Sequence, residues 1–454
     1  MALFNRLQPP ESNSWERIFG RLLSPVERFL DGSTSSGILL ITLTLVALIV
    51  ANGPLGEFYR HLQHLTFTVA LGDWRLSMGL HHWINDGLMT FFFFLVGLEI
   101  KRELLVGHLN SWDKALLPLA AALGGMVMPA LCYSLFNLTG AGAPGWGIPM
   151  ATDIAFALGV LLLLGDAVPA GLVSLLLALA IVDDLGAVLV IALFYGGTLQ
   201  WLPLALAALV FGLLLLANRG GLRANWIYGT LGLMLWLCVQ NSGIHGTVAG
   251  VLCALAMPLK SLYRPEEFSQ EARKLLNRFD LQRRHQDNFL ADEQLNELLH
   301  QLRQGIDRSQ PPLMKLSHKF HRPVYFFVLP LFVFFNAGLP LGQDSLKGLG
   351  GAPVFWGVLV GLLLGKFCGV LGAVLLCLRR GWARLPPGVS LRHLIGVALL
   401  AAIGFTMAIF VAELAFAGRE TLLNQAKMAI LLASLLAGTV AFIYFKLQER
   451  FSRV

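Results

Sequence analysis

Apolar runs long enough to cross a bilayer recur along most of this chain, and that recurrence leaves few folds open to it. A helix rises 1.5 Å per residue, so about 20 apolar residues cross the ~30 Å hydrocarbon core. Runs of this kind centre on 36–52, 82–100, 115–138, 146–165, 170–195, 200–217, 225–240, 243–258, 322–338, 354–378, 391–414 and 422–445. Only 13% of the residues are charged, about half the ~25% usual in soluble domains. A single aqueous core cannot absorb so much apolar sequence in 454 residues, because such cores stop growing near ~250–300 residues. Lipid is the better solvent. The expected fold is an all-α polytopic membrane protein of about twelve transmembrane helices.

The polar sequence divides the rest. Residues 1–35 are polar and mixed in charge, without the short apolar core of a cleaved leader. Within them 14–31 reads as an amphipathic helix lying on the membrane surface. Spans one to eight fill 36–258, a polar loop 259–320, spans nine to twelve 321–446, and a tail 447–454. Between the first two spans LTFTVALGDWRLSMGL alternates like a strand, turns at Gly72–Asp73 and alternates again, so 65–80 is expected to form a β-hairpin. A lone hairpin is marginally stable and calls for a partner, such as its copy in a second subunit.

Lys and Arg set the orientation. With the N-terminus in the cytoplasm, the loops after even-numbered spans hold Lys101, Arg102, Lys114, Arg219, Arg223, Arg379, Arg380, Arg384 and Arg392, and the tail holds Lys446, Arg450 and Arg453. The other side has only Arg60, Arg75, Lys347 and Arg419. Both termini and the 259–320 loop are therefore expected in the cytoplasm. The net charge of +7 sits in these loops and does not suggest nucleic acid. Cys132, Cys238, Cys253, Cys368 and Cys377 all lie in apolar stretches without metal-like spacing, and read as small packed residues.

A few charges fall where lipid should exclude them. An ionisable residue at mid-membrane costs ~2.5–3.5 kcal/mol or more and is a functional hypothesis by default. In SLLLALAIVDDLGAVLVIALF the adjacent Asp183 and Asp184 have roughly ten apolar residues on each side. PMATDIAFALG places Thr152 and Asp153 within span four, and GVLVGLLLGKFCGVLG places Lys366 within span ten. A single buried Asp can cap a broken helix, and a lone Lys can snorkel to an interface. Two neighbouring aspartates repel each other, so a polar pathway to mid-membrane is the economical explanation.

The chemistry then narrows. Carboxylate oxygens are hard ligands that suit hard cations and protons. Two close carboxylates in a low dielectric cannot both stay ionised without a counter-charge, and Lys366 is the natural one. Such a pair holds a cation when deprotonated and releases it when protonated, so competition for one site gives exchange. Span four looks interrupted, with Pro144, Gly145, Gly147 and Pro149 crowding its start, and span eleven has a matching weakness at Gly404–Thr406. Paired interruptions of this kind point to a transporter site built from broken helices. Glu99, Arg102 and Glu103 fall on one helix face at the end of span two, as a stop-transfer cluster or a pH-sensing mouth. His245 stands alone at a helix start and reads first as a packing residue.

Several stretches together resemble the NhaA-type sodium/proton antiporters of bacteria: FFFFLVGLEIKREL, AALGGMVMPAL, ATDIAFALGVL, ALAIVDDLGAVLVIALFY, LPLFVFFNAG, GLLLGKFCG and IGFTMAIF, in that order. The resemblance implies inverted repeats made of spans three to five and ten to twelve, with spans four and eleven broken and crossing near the midplane. It implies that Asp184 and Asp183, with Thr152 nearby, hold the transported Na⁺ or Li⁺ and protons, and that Lys366 pairs with Asp183. It implies that Asp153, Thr152 and Gly404 belong to the helix break, where helix dipoles need compensation. Glu99, Arg102, Glu103, His245 and His318 match residues of the pH response. The glutamate that the family's prototype carries before the histidine matching His318 is here Ser317, and a frequent glycine is here Ala402, so helix eleven is expected to unwind less. A homodimer through the 65–80 hairpin, a bacterial cytoplasmic membrane and no cofactor beyond the transported ions are also implied.

The expected function is electrogenic export of one Na⁺ for two protons, regulated by pH. The rival is a Na⁺-coupled organic anion symporter of similar fold, for which the sequence shows no anion-sized polar cavity. An intramembrane aspartyl protease would need a G-x-G-D pattern, and Asp183 follows Ala-Ile-Val. A nucleotide-driven pump would need a phosphate loop, and GLLLGKF lacks its spacing and its Ser/Thr.

Overall fold

The computed structural model describes residues 33–71, 74–164, 168–259, 261, 265–283, 293–342 and 348–452. The surface helix expected at 14–31 and the hairpin turn at 72–73 lie outside the described residues. In chain order come α1 (Ser33–Asn52), α2 (Gly56–His64), the strands β1 (Thr66–Leu71) and β2 (Trp74–Gly79), α3 (Met89–Leu105), α4 (Trp112–Phe136), α5 (Ile154–Leu162) and α6 (Ala170–Phe194). They are followed by α7 (Trp201–Arg219), α8 (Asn225–Asn241), α9 (Thr247–Ala256), α10 (Pro265–Arg283), α11 (Glu293–Ser309), α12 (Pro312–Pro323) and α13 (Leu329–Asn336). The last are α14 (Pro353–Val360), α15 (Phe367–Arg379), α16 (Leu391–Ala401), α17 (Phe405–Ala415) and α18 (Glu420–Ser452).

Among the described residues, eight helical segments are long and apolar enough to cross a membrane alone. The pair α16 and α17, bent by 42° at its break, makes a ninth. The chain is a helical, multi-pass membrane protein. Among the described residues three stretches wind as π-helix, at Trp83–Leu88, Val324–Val328 and Gly361–Lys366. Such wider turns re-aim side chains and cluster at functional sites. The first contains Asp86 and the third ends on Lys366, and both residues are buried.

The described residues form two compact units, the first taking in residues up to His81, Ser111–Ala187 and those from Tyr325 on, the second His82–Asn110 and Val188–Val324. In the first unit α4 runs along α15 at a close crossing where glycine backbones meet. A Cβ on Gly124 would stand 2.3 Å from the Gly369 carbonyl oxygen, and one on Gly365 2.7 Å from Pro129 Cα. Small residues let membrane helices approach this closely. The strands pair antiparallel from Thr66↔Gly79 to Leu71↔Trp74, with the Thr68 and Ser77 hydroxyls 2.8 Å apart across them. The Tyr59 hydroxyl on α2 donates to the Phe334 carbonyl, and burial pushes that phenol up to about 12, so it stays a donor at neutral pH.

In the second unit α3 packs closely on α9 through small residues, Gly97 over the Ala254 methyl and Gly250 over the Thr90 carbonyl. Its core gathers Leu98, Tyr228, Leu235, Trp236, Ala254 and Leu316. In the 259–320 region α10 and α11 lie against each other.

Candidate functional site

The span predicted at 146–165 is broken in its middle. Ala143–Met150 winds as a tight 3₁₀ coil, residues 151–153 are extended, and α5 starts at Ile154. Proline at 144 and 149 cannot donate to a regular helix, which favours this short coil over a full turn. Asp153 stops the extended stretch as an N-cap: its Oδ1 accepts the Phe156 N–H at 2.9 Å, the N3 donor that a capping carboxylate reaches. The second break lies between α16 and α17. Gly404 there has an ordinary right-handed φ of −90°, so the position needs room and not backbone freedom. A Cβ would come within 2.9 Å of the Ala408 Cβ and 3.1 Å of the Ala151 carbonyl oxygen. Ala402 sits in the break at φ −71°, ψ −5°, which alanine adopts without strain.

The two breaks are bound to each other. Asp153 N–H donates to the Ile403 carbonyl at 2.7 Å, and the Thr152 hydroxyl lies 2.9 Å from the Ala401 carbonyl. In return, Asp153 Oδ2 accepts the Thr406 N–H at 3.0 Å and the Thr406 hydroxyl. One carboxylate thus caps the starts of both α5 and α17, where unpaired N–H groups and the helix dipole make positive ends. Phe405 N–H, the first donor of α17, goes to Ser434 Oγ at 3.1 Å.

Asp183 stands beside this crossing. Its Oδ2 accepts from Thr152 Oγ1 and from Lys366 Nζ, each at 2.7 Å, and Lys366 also donates to the Met150 carbonyl that the break leaves open. The other oxygen, Asp183 Oδ1, has no hydrogen-bond donor among the described residues. Asp184 follows on the same helix with no exposed surface, and neither Lys366 nor Thr152 has any. An unshared carboxylate oxygen, a second carboxylate and a hydroxyl form a hard oxygen donor set of the type that takes small cations and protons. Lys366 brings a positive charge into contact with Asp183.

The structure therefore brings Asp183, Asp184, Lys366, Thr152, Asp153 and Gly404 into one unit, with Thr406 and Ser434 added. The other sequence candidates lie in the second unit. Arg102 Nη2 is 3.3 Å from Glu103 Oε1 at the end of α3, with Glu99 half-buried one turn earlier, and neighbouring Lys101 donates to the Leu255 carbonyl at 2.6 Å. His318 is exposed on α12 next to the buried Ser317. His245 is no lone packing residue. Its Nε2 lies 3.1 Å from Asp86 Oδ1, while His82 Nε2 and Gln240 Nε2 hold Asp86 Oδ2 at 3.1 and 2.9 Å. Sequence reading missed Asp86, because an acid within the first turns of a span looks like an ordinary interfacial charge.

Comparison with known proteins gives a consistent result. The family model for "Na+/H+ antiporter 1" matches residues 27–445. A Na(+)/H(+) antiporter NhaA of Dichelobacter nodosus is 48% identical over 432 residues, covering 95% of this chain and 93% of the relative. A Na(+)/H(+) antiporter NhaA 1 of Saccharophagus degradans is 46% identical over 450 residues, covering 98% and 97%. The corresponding protein of Sulfurimonas denitrificans is 45% identical, covering 95% and 97%.

Proposed function

The chain belongs to the Na+/H+ antiporter 1 family, and from that premise we propose that Asp183 and Asp184 are the shared site at which it exchanges Na⁺ for protons. The protein is a Na⁺/H⁺ antiporter, a transporter by family. One observation carries the site assignment: Asp183 Oδ2, fully buried, is shared by the Lys366 ammonium and the Thr152 hydroxyl next to a second buried carboxylate. In this reading Na⁺ or Li⁺ binds at Asp184 and Asp183 with Thr152 close by. Protons that load the carboxylates expel the cation. Lys366 offsets the charge of Asp183, and Asp153 offsets the two helix starts.

If both aspartates exchange a proton in each cycle, one net charge moves per Na⁺. Transport is then electrogenic, with a bias of ~2.3 kcal/mol per charge per 100 mV toward Na⁺ export. The same reading takes Glu99, Arg102, Glu103, His245 and His318 as the pH response. It takes the fold as about twelve spans with inverted repeats, spans four and eleven broken near the midplane, and both termini cytoplasmic in a bacterial inner membrane. A homodimer through the 65–80 hairpin completes it.

Everted vesicles should show Na⁺-dependent dequenching of a ΔpH dye. Asp184→Asn should abolish it, and retained exchange in that variant would overturn the site. A one-to-one stoichiometry in proteoliposomes would overturn the electrogenic version.

A further inference from the structure

Two contacts join α17 to α18, one at each end of the half-helix. At its start Phe405 N–H meets Ser434 Oγ, and near its end Lys427 Nζ lies 2.5 Å from Glu413 Oε1. From Phe405 to Glu413 the chain advances eight residues, while from Ser434 back to Lys427 it retreats seven. Two helices lying antiparallel and side by side keep this matched step, about two turns on each. The contacts are thus successive rungs of one seam. His81 Nε2 stands 3.6 Å from the same Glu413 oxygen and 2.9 Å from Asn336 Oδ1, so the second rung also reaches β2's exit and α13.

These side chains are nearly closed to solvent: Ser434 is 2% exposed, and the Lys427 and Glu413 side chains 7% and 11%. Buried charges inside a membrane protein are expensive to keep, and the exchange chemistry above uses neither of these. What the seam holds is specific. Gly404 has no side chain to cap α17, so its first N–H donors are satisfied only from outside, by Ser434 and by Asp153. The turn that presents Thr406 to Asp153 is therefore located by α18.

We infer that Ser434 and the Glu413–Lys427 ion pair clamp α17 to α18 as one body and so set the position of Thr406 and Asp153 beside the ion site. All three are positioning residues for cation binding. The inference rests on Asp183–Asp184 being that site. Misplacement by 1 Å of a group that orders a binding site can cost up to ~10²-fold. Loss of one rung, with the other intact, should cost less.

The test is a Na⁺ titration of exchange in everted vesicles. Ser434→Ala, Glu413→Gln and Lys427→Gln should each raise the apparent KM for Na⁺ by about five- to tenfold, with the maximal rate within about twofold of the parent. The charge swap Glu413→Lys with Lys427→Glu should return KM to within about twofold of the parent, because it restores the ion pair with its signs exchanged. A swap no better than the single variants overturns the ion-pair rung. Ser434→Ala removes a hydroxyl and no charge, so it folds even if the charged variants do not. An unchanged KM in that variant, or a loss of maximal rate alone, overturns the clamp. If KM is unmoved while Asp184→Asn is inactive, only the clamp fails. If Asp184→Asn still exchanges Na⁺, the site reading fails first.

Discussion

Lys366 Nζ lies 2.7 Å from Asp183 Oδ2, and neither side chain has any exposed surface. Removing one partner of a buried pair strands the other as an uncompensated charge, at a cost of ~3–5 kcal/mol, whereas removing both is far milder. Lys366→Ala should therefore lower the thermal stability of the detergent-solubilised protein at neutral pH. Combining it with Asp183→Asn should recover most of the loss. A single variant as stable as the double would show that the pair carries no such coupling.

Asp153 is the common acceptor for two helix starts. Hydrogen bonds to a charged group contribute ~1.5–3 kcal/mol each, so Asp153→Ala should destabilise the fold by several kcal/mol. Thr406→Val, which removes one hydroxyl donor and leaves the Thr406 N–H, should cost only the ~1.5–3 kcal/mol of a single such bond. Denaturant unfolding of both variants orders them. Equal losses would mean that the double cap is not the source.

Asp86 is held by His82, His245 and Gln240. A double-mutant cycle between Asp86→Asn and His245→Gln should show a coupling of about 1–3 kcal/mol, because the two side chains share a buried contact. Strict additivity would assign His245 to packing alone.

Competition of protons and Na⁺ for the same carboxylates fixes a sign. Lower pH favours the protonated site, so the apparent KM for Na⁺ should rise as pH falls, by up to about tenfold per pH unit for each proton displaced. The maximal rate at saturating Na⁺ should change much less. A KM independent of pH between 6.5 and 9 (~2.5 units of driving variable) would separate the two ions onto different sites.

How far the sequence discloses the site follows from where its charges lie. Asp183, Asp184 and Lys366 are legible because each interrupts an apolar run with no nearby water. Thr152–Asp153 and Gly404 are legible because proline and glycine mark weak helix. That the two breaks bind each other is not legible: Asp153 and Thr406 stand 253 positions apart, and only the fold joins them. Asp86, Glu413 and Lys427 were overlooked for the opposite reason. Each lies within two or so turns of the end of a span, where charge is ordinary, and its burial comes from neighbours distant in the chain. Ser434 carries no signal at all, since serine in a membrane helix usually bonds its own backbone.

The close crossing of α4 and α15 has a consequence for the lysine. Lys366 lies one turn before Gly369, and its stem rests on Gly125, whose missing Cβ would stand 3.4 Å from Lys366 Cε. The main chains of Gly124 and Gly369 already touch, so the thickness of the backbone itself acts as the gauge that sets how far the ammonium reaches. A methyl group at position 124 would wedge the helices apart by about 1 Å and withdraw the charge by a similar amount. The tolerance of the ion site is machined at a place that carries no charge and binds no ion.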